Sequence, residues 1–138
     1  MTEPRPGTVG ELMHGHPITI RADGTLVEAA RLLDQHRIHG LPVVDEEGTL
    51  LGVLSQTDLV RARATDRLWS SWPELAVRHL MTSPALTCRA DTPIRDAIAI
   101  MELNRVHRLV VVDEEGRRPI GIFSTTDVVH HLAEPTDT

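Results

Sequence analysis

The hexapeptide Val43-Val44-Asp45-Glu46-Glu47-Gly48 returns unchanged at Val111-Val112-Asp113-Glu114-Glu115-Gly116, and that recurrence decides the fold. Working outward from it, Val9 aligns with Val77, Leu12-Met13 with Leu80-Met81, Thr19 with Thr87, and Arg21-Ala22-Asp23 with Arg89-Ala90-Asp91. After a one-residue insertion just past the turn, Gly52, Ser55, Thr57 and Asp58 match Gly121, Ser124, Thr126 and Asp127. An internal repeat constrains the architecture before any propensity is weighed. The insertion falls in a predicted hairpin loop, where extra length is tolerated.

Each copy carries the same order of signals. Pro17-Ile18-Thr19-Ile20 and Ala85-Leu86-Thr87-Cys88 read as short strands. Asp23-Gly24-Thr25 and Asp91-Thr92-Pro93 then read as helix starts with a capping side chain, the second with Pro in the first turn. Leu26, Ala29, Ala30 and Leu33, and likewise Ile94, Ala97, Ile98 and Met101, recur at helical spacing. Leu41-Pro42-Val43-Val44 and Leu109-Val110-Val111-Val112 suit strands buried on both faces. Leu50 to Leu54 and Ile120 to Phe123 return as second strands, and Ser-x-Thr-Asp opens a further helix in each copy. The order per repeat is strand, helix, strand, strand, helix. Residues 8–62 form the first domain, 63–76 a connector and 77–133 the second domain, with loose tails at 1–7 and 134–138. The connector holds Trp69 and Trp72, either a docking surface or a cover for exposed core.

Composition excludes several classes of function. The 138 residues can bury one ordinary core or two small ones. Aromatics are 2% and the net charge is -6, so the chain lacks the stacking platforms and basic stripe that nucleic acid requires. Every basic residue is Arg, which excludes a P-loop lysine and any Schiff base. The lone Cys88 forms no internal disulfide, no apolar run reaches membrane-spanning length, and the start of the chain does not read as a signal peptide. A soluble, cytoplasmic protein with neither membrane nor nucleic acid as partner is the expectation.

The repeat order and the closing segments Gly52-Val53-Leu54-Ser55-Gln56-Thr57-Asp58 and Gly121-Ile122-Phe123-Ser124-Thr125-Thr126-Asp127 resemble the cystathionine-β-synthase (CBS) domain family. The likeness runs from Val9 to Val60 and from Val77 to Leu132, and Arg105 to Asp113 resembles the γ subunit of AMP-activated protein kinase. It implies an α/β (α+β) fold of tandem CBS domains packed about a pseudo-twofold axis, with two clefts that hold adenosine-containing ligands. It also implies further association into a homodimer. The implied function is regulatory: an adenine nucleotide (AMP, ADP, ATP or another adenosyl compound) binds, and an unknown effector protein reads the resulting conformation.

The same resemblance distributes the site residues. Asp58 and Asp127 stand in the ribose position, where a carboxylate accepts from two adjacent hydroxyls. Ser55, Thr57, Ser124 and Thr126, at helix starts, fall near the phosphate, with the helix dipole favouring negative charge. His107 and Arg108 join them in the second repeat, where the planar guanidinium suits phosphate; the first repeat has His39-Gly40 instead, so the two clefts differ. Thr19, Ile38, His39, Pro42, Thr87 and Val106 line the adenine and sugar ends. Ser-x-x-Asp is also a capping pattern, but its recurrence after Gly and two apolar residues in both repeats favours a ligand role.

Other chemistry does not assemble. His14, His16, His36, His39, His130 and His131 lack the spacing of a zinc site, and Cys88 aligns with Ile20 as a small buried residue. Glu46-Glu47 and Glu114-Glu115 sit on predicted hairpin tips, where water keeps them ordinary acids. No catalytic residues and no cofactor are expected. The alternative to ligand regulation is a dimerisation and interaction scaffold that works without ligand.

Overall fold

The computed structural model describes residues 6–64 and 75–134. Trp69 and Trp72 lie outside the described residues. In chain order the elements are α1 (Val9–Leu12), β1 (His14–Gly15), β2 (Ile20–Arg21), α2 (Leu26–His36), β3 (Gly40–Val44), β4 (Leu50–Ser55) and α3 (Gln56–Ala64). Then follow α4 (Val77–Leu80), β5 (Thr87–Arg89), α5 (Ile94–Asn104), β6 (Arg108–Val112), β7 (Pro119–Ser124) and α6 (Thr125–Ala133). This is the mixed α and β order expected, with each leading strand shorter than the sequence suggests. Only Ile20–Arg21 and Thr87–Arg89 pair; the residues before them do not extend those strands.

The chain forms two compact units, Pro17–Ala85 and Met1–His16 with Leu86–Thr138. Each unit therefore holds most of one repeat and the leading segment of the other. In the first unit β2 pairs parallel with β3 and β3 antiparallel with β4. In the second, β5 pairs parallel with β6, β6 antiparallel with β7, and β1 adds to the free side of β7. The first unit has the matching contact in reduced form, an antiparallel bridge of Val53 with Thr82.

Burial explains the sequence patterns. The central strands β3 and β6 bury four of their five residues, which is why they read as unbroken apolar runs. The edge-side strands β4 and β7 alternate. Leu26, Ala29 and Leu33 bring one stripe of α2 onto Leu41, Val43 and Leu54. Ala97 and Met101 do the same from α5 against Leu109, Val111 and Phe123. The exchanged leading segments are anchored in these cores: Val77 is fully buried in the first unit and Val9 in the second. Each fully buried Val, Leu or Phe contributes about 1.5–3 kcal/mol.

Local chemistry sets the boundaries. Thr25 caps α2 by accepting the Glu28 N–H at 3.0 Å. The matching position in the second repeat is Pro93, which has no hydroxyl, so α5 starts without a side-chain cap and Pro93 stands at the cap rather than inside the first turn. The Ile94 N–H instead donates to the Gly7 carbonyl at 3.0 Å. Both Asp-Glu-Glu-Gly turns close through their aspartate. Asp45 Oδ1 accepts the N–H groups of Glu47 and Thr49, and Asp113 Oδ1 those of Arg117 and Arg118. Gly48 and Gly116 take the positive φ values, 85° and 74°, that such a turn needs. Beyond the turn, a bulge at the same place in each hairpin restores register, Val43 facing Gly52 and Val111 facing Gly121. The one-residue insertion is absorbed in the loop before it.

Candidate functional site

The two Ser-x-x-Asp motifs sit where a strand runs into a helix, β4 into α3 and β7 into α6. In the first unit Asp58 Oδ2 accepts the Ser55 N–H at 2.8 Å, and Ser55 Oγ accepts the Asp58 N–H at 3.1 Å. In the second, Asp127 Oδ2 accepts from the Ser124 N–H at 2.8 Å and from Ser124 Oγ at 3.0 Å, while Ser124 Oγ lies 3.3 Å from the Asp127 N–H. Both motifs are thus reciprocal helix caps. A cap uses one carboxylate oxygen and leaves the other, so capping and ligand binding do not compete for Oδ1.

The remaining oxygen differs between the repeats. Oδ1 of the half-buried Asp58 has no hydrogen-bond partner among the described residues. Oδ1 of Asp127 is met by His14 Nε2 at 2.7 Å. His14 comes from β1, one of the exchanged leading segments, and its repeat counterpart is Thr82.

The loops that carry His39 and His107 are bonded to the helix starts. The Gln56 N–H donates to the His39 carbonyl at 2.9 Å, and the Thr125 N–H donates to the His107 carbonyl at 2.9 Å. In the first unit the Gln56 side chain adds two contacts, Nε2 donating to the Ile38 carbonyl at 3.3 Å and Oε1 lying 3.2 Å from His39 Nδ1. Ile38 and His39 are therefore tied to Ser55–Asp58, and His107 to Ser124–Asp127, whereas the Val106 N–H turns back to the Met101 carbonyl. Cross-strand register then pairs Gly40 with Ser55 and Arg108 with Ser124. The half-buried Arg108 side chain makes no hydrogen bond or ion pair with any described residue; burial lowers its pKa from the ordinary arginine value. A cation held there without a counter-charge is suited to an incoming anion.

The other residues are placed less directly. Thr19 immediately precedes β2 and Thr87 opens β5, each on the strand parallel to the central one of its unit. Thr57 and Thr126 are exposed in the first turns of α3 and α6. Pro42 is fully buried in β3, and Ile38 and Val106 pack against their cores. In the second unit a cleft of 420 Å³ opens beside His107, floored by Ile98, Met101, Val106 and Val128, and edged by Arg105 and Thr125. Asp127 and Ser124 are not in its lining.

Three contributors escape the sequence reading. Gln56 sits at the variable position of its motif. Arg105 stands at φ 54° at the end of α5, as Arg37 does at φ 53° after α2. His14 attracts notice in the sequence only as half of a His-x-His pair; its mismatch with Thr82 across the repeat is the signal that separates the two sites. Among the described residues no three His, Cys, Asp or Glu side chains gather as a metal site, and no helix is long and apolar enough to cross a membrane.

The family model of the CBS domain matches residues 9–65 and again 77–134. Among solved structures, CBSX2 of Arabidopsis thaliana in complex with AMP superposes with a TM-score of 0.79 at 32% identity, covering 91% of this chain and 95% of that one. The CBS domain pair of protein MJ0100, in complex with 5′-methylthioadenosine and S-adenosyl-L-methionine, gives a TM-score of 0.80 at 28% identity, covering 91% and 94%. Inosine-5′-monophosphate dehydrogenase of Methanocaldococcus jannaschii is 31% identical over 118 residues, 86% of this chain. The L-aspartate semialdehyde sulfurtransferase of the same organism is 29% identical over 120 residues. The chain spans 22% of the length of each of these two enzymes.

Proposed function

Since the chain belongs to the CBS domain family, in two copies, we propose that it is a regulatory module that binds an adenosyl ligand, foremost an adenine nucleotide, and passes the binding on to a partner protein as a change of conformation. The observation that carries this reading is the Asp58 carboxylate, held by its cap through Oδ2 with Oδ1 left without a partner among the described residues. A ribose diol donates two hydrogen bonds that suit such an acceptor. The Ser55 and Ser124 helix starts, with Arg108 beside Ser124, supply the phosphate end. The AMP and S-adenosyl-L-methionine complexes of the two structural relatives support an adenosyl compound as the class. Ligand stabilises whichever arrangement binds it better, and that difference in affinity is all a partner can read. In this reading the chain performs no turnover of its own.

Thermal unfolding with AMP, ADP, ATP, S-adenosyl-L-methionine and GTP tests the proposal, because a ligand specific to the folded state adds about 2.7 kcal/mol at a hundred times its dissociation constant. An adenosyl compound is expected to raise the midpoint and GTP to leave it unchanged, with Asp58→Asn reducing the rise. No response to any adenosyl compound at millimolar concentration would sink the reading.

A ligand-free homodimerisation scaffold is the second reading, and exposed apolar side chains favour it. On α5 and α6, Leu103 is 84%, Leu132 74% and Val129 64% exposed, apolar surface that a partner copy would cover. Light scattering on wild type and Leu132→Glu separates the two readings: a dimer that neither binds nor responds to nucleotide selects the scaffold.

A further inference from the structure

The geometry points to His14 as a latch on the second site, one that closes the Asp127 carboxylate to an uncharged nucleoside and makes phosphate a condition of binding there. The inference rests on the ribose role proposed above for Asp58 and Asp127. Its basis is the inequality of two carboxylates that the repeat would otherwise make equivalent.

Asp127 has no unused oxygen. Ser124 donates twice to Oδ2, and His14 Nε2 sits 2.7 Å from Oδ1, leaving the carboxylate side chain 5% exposed. His14 is not a passing surface group, because its backbone is fixed. His14 faces Ile122 and Gly15 faces Gly121 in the antiparallel pairing of β1 with β7. Upstream, the Val9 N–H donates to the Thr92 carbonyl at 2.9 Å and the Gly10 N–H to the Ala90 carbonyl at 2.8 Å, with Val9 fully buried. The imidazole can serve in either protonation state, since neutral histidine carrying its proton on Nε2 also donates.

The first repeat is the internal control. Thr82 takes the place of His14 in the sequence alignment and is paired with Val53 through two backbone bonds of 2.9 and 2.8 Å. Its side chain makes no hydrogen bond to Asp58, whose Oδ1 is open among the described residues. A ribose therefore meets a ready acceptor in the first site. In the second it must first displace an imidazole.

Displacement is feasible because the His14 side chain is 80% exposed and returns to water when released. The ligand needs a compensating contact, and the two sites differ there as well. Arg108 stands beside Ser124, whereas its counterpart beside Ser55 is Gly40. A phosphate gains the half-buried guanidinium of Arg108 as it breaks the latch. Adenosine gains nothing comparable. The first site accordingly accepts a nucleoside with or without phosphate, and the second accepts only a nucleotide.

Isothermal titration of the full chain with adenosine and, separately, with AMP decides the matter, using wild type, His14→Thr, Asp58→Asn and Asp127→Asn. Wild type is expected to take one adenosine per chain, lost in Asp58→Asn and unaffected in Asp127→Asn, and two AMP. His14→Thr, which installs the residue of the first repeat, is expected to take a second adenosine, bound roughly tenfold or more tighter than any residual adenosine binding at that site in wild type, the worth of one hydrogen bond to a charged group. Adding Asp127→Asn to His14→Thr should remove it again. Adenosine binding to wild type that Asp127→Asn abolishes, or a His14→Thr protein unchanged in adenosine stoichiometry and affinity, overturns the latch and leaves the ribose reading standing. Failure of both compounds to bind wild type and His14→Thr overturns the ribose reading, and the latch falls with it.

Discussion

Replacing Gly52 by alanine should lift the leading segment of the second repeat off the sheet of the first. A Cβ at Gly52 would stand 2.5 Å from the Thr82 carbonyl oxygen and 3.2 Å from Met81 Sδ. Reaching even 3.0 Å means a retreat of about 0.5 Å (3.0 less 2.5), and the nearest atom is backbone, which cannot swing aside as a side chain can. The retreat strains both hydrogen bonds between Val53 and Thr82 and pulls on the fully buried Val77. Overpacking of this kind costs about 1–3 kcal/mol. For a chain between the size classes for which the shift is known, each kcal/mol moves the midpoint by roughly 3–5 °C, so Gly52→Ala should unfold roughly 3–15 °C lower. Gly121→Ala meets Met13 Sδ at 2.8 Å and the His14 carbonyl at 2.9 Å, and should cost less because the thioether can move. Gly40→Ala is the control: its nearest neighbour is 3.6 Å away, and the loss of unfolded-state freedom should stabilise by about 0.4–1 kcal/mol. Scanning calorimetry of the three variants reads the order directly. A Gly52→Ala protein that melts with or above Gly40→Ala would refute the seating of Thr82 on β4.

Three further outcomes follow from the packing and the charges. Phe123→Ala, which empties a fully buried position in the second core, should cost about 3–5 kcal/mol in urea denaturation, and Phe123→Leu much less. Burial pushes the Cys88 thiol up to about 11, so at pH 8 a thiol reagent should label the native protein far more slowly than the urea-unfolded chain; equal rates would contradict its burial. The N–H of Arg117, foremost among several backbone donors, holds the Asp113 carboxyl below the usual carboxylate range. Because that pKa is depressed, its contribution is present above the unfolded value of about 3.9 and is lost as pH falls through the folded value. The stability gap between wild type and Asp113→Asn should therefore narrow on acidification below about pH 4, and a gap that widens there would reverse the argument.

Much of this molecule is legible in one dimension, because a repeat compares the chain with itself. The matched hexapeptides mark the two hairpins, and the helical spacing from Leu26 to Leu33 and from Ile94 to Met101 marks the stripes that α2 and α5 bury. The paired Ser-x-x-Asp motifs mark both helix starts. The limits of the leading strands are not local: a parallel strand forms only where its neighbour offers a partner, and β3 offers one to Ile20 and Arg21. Pro93 reads as an N-terminal signal, yet it is the Gly7 carbonyl, distant in sequence, that satisfies the first N–H of α5.

Sequence by itself determined the two repeats, their order of elements and the identity of the residues at each helix start, since all of these are periodic or local properties of neighbouring residues. Tertiary structure alone decided which unit each leading segment joins, Val77 entering the first core and Val9 the second. It likewise decided that Asp58 keeps an oxygen open among the described residues while Asp127 is met by His14. His14 and Asp127 are far apart along the chain, and a contact of 2.7 Å between them exists only once β1 has paired with β7. Local sequence carries no term for that pairing.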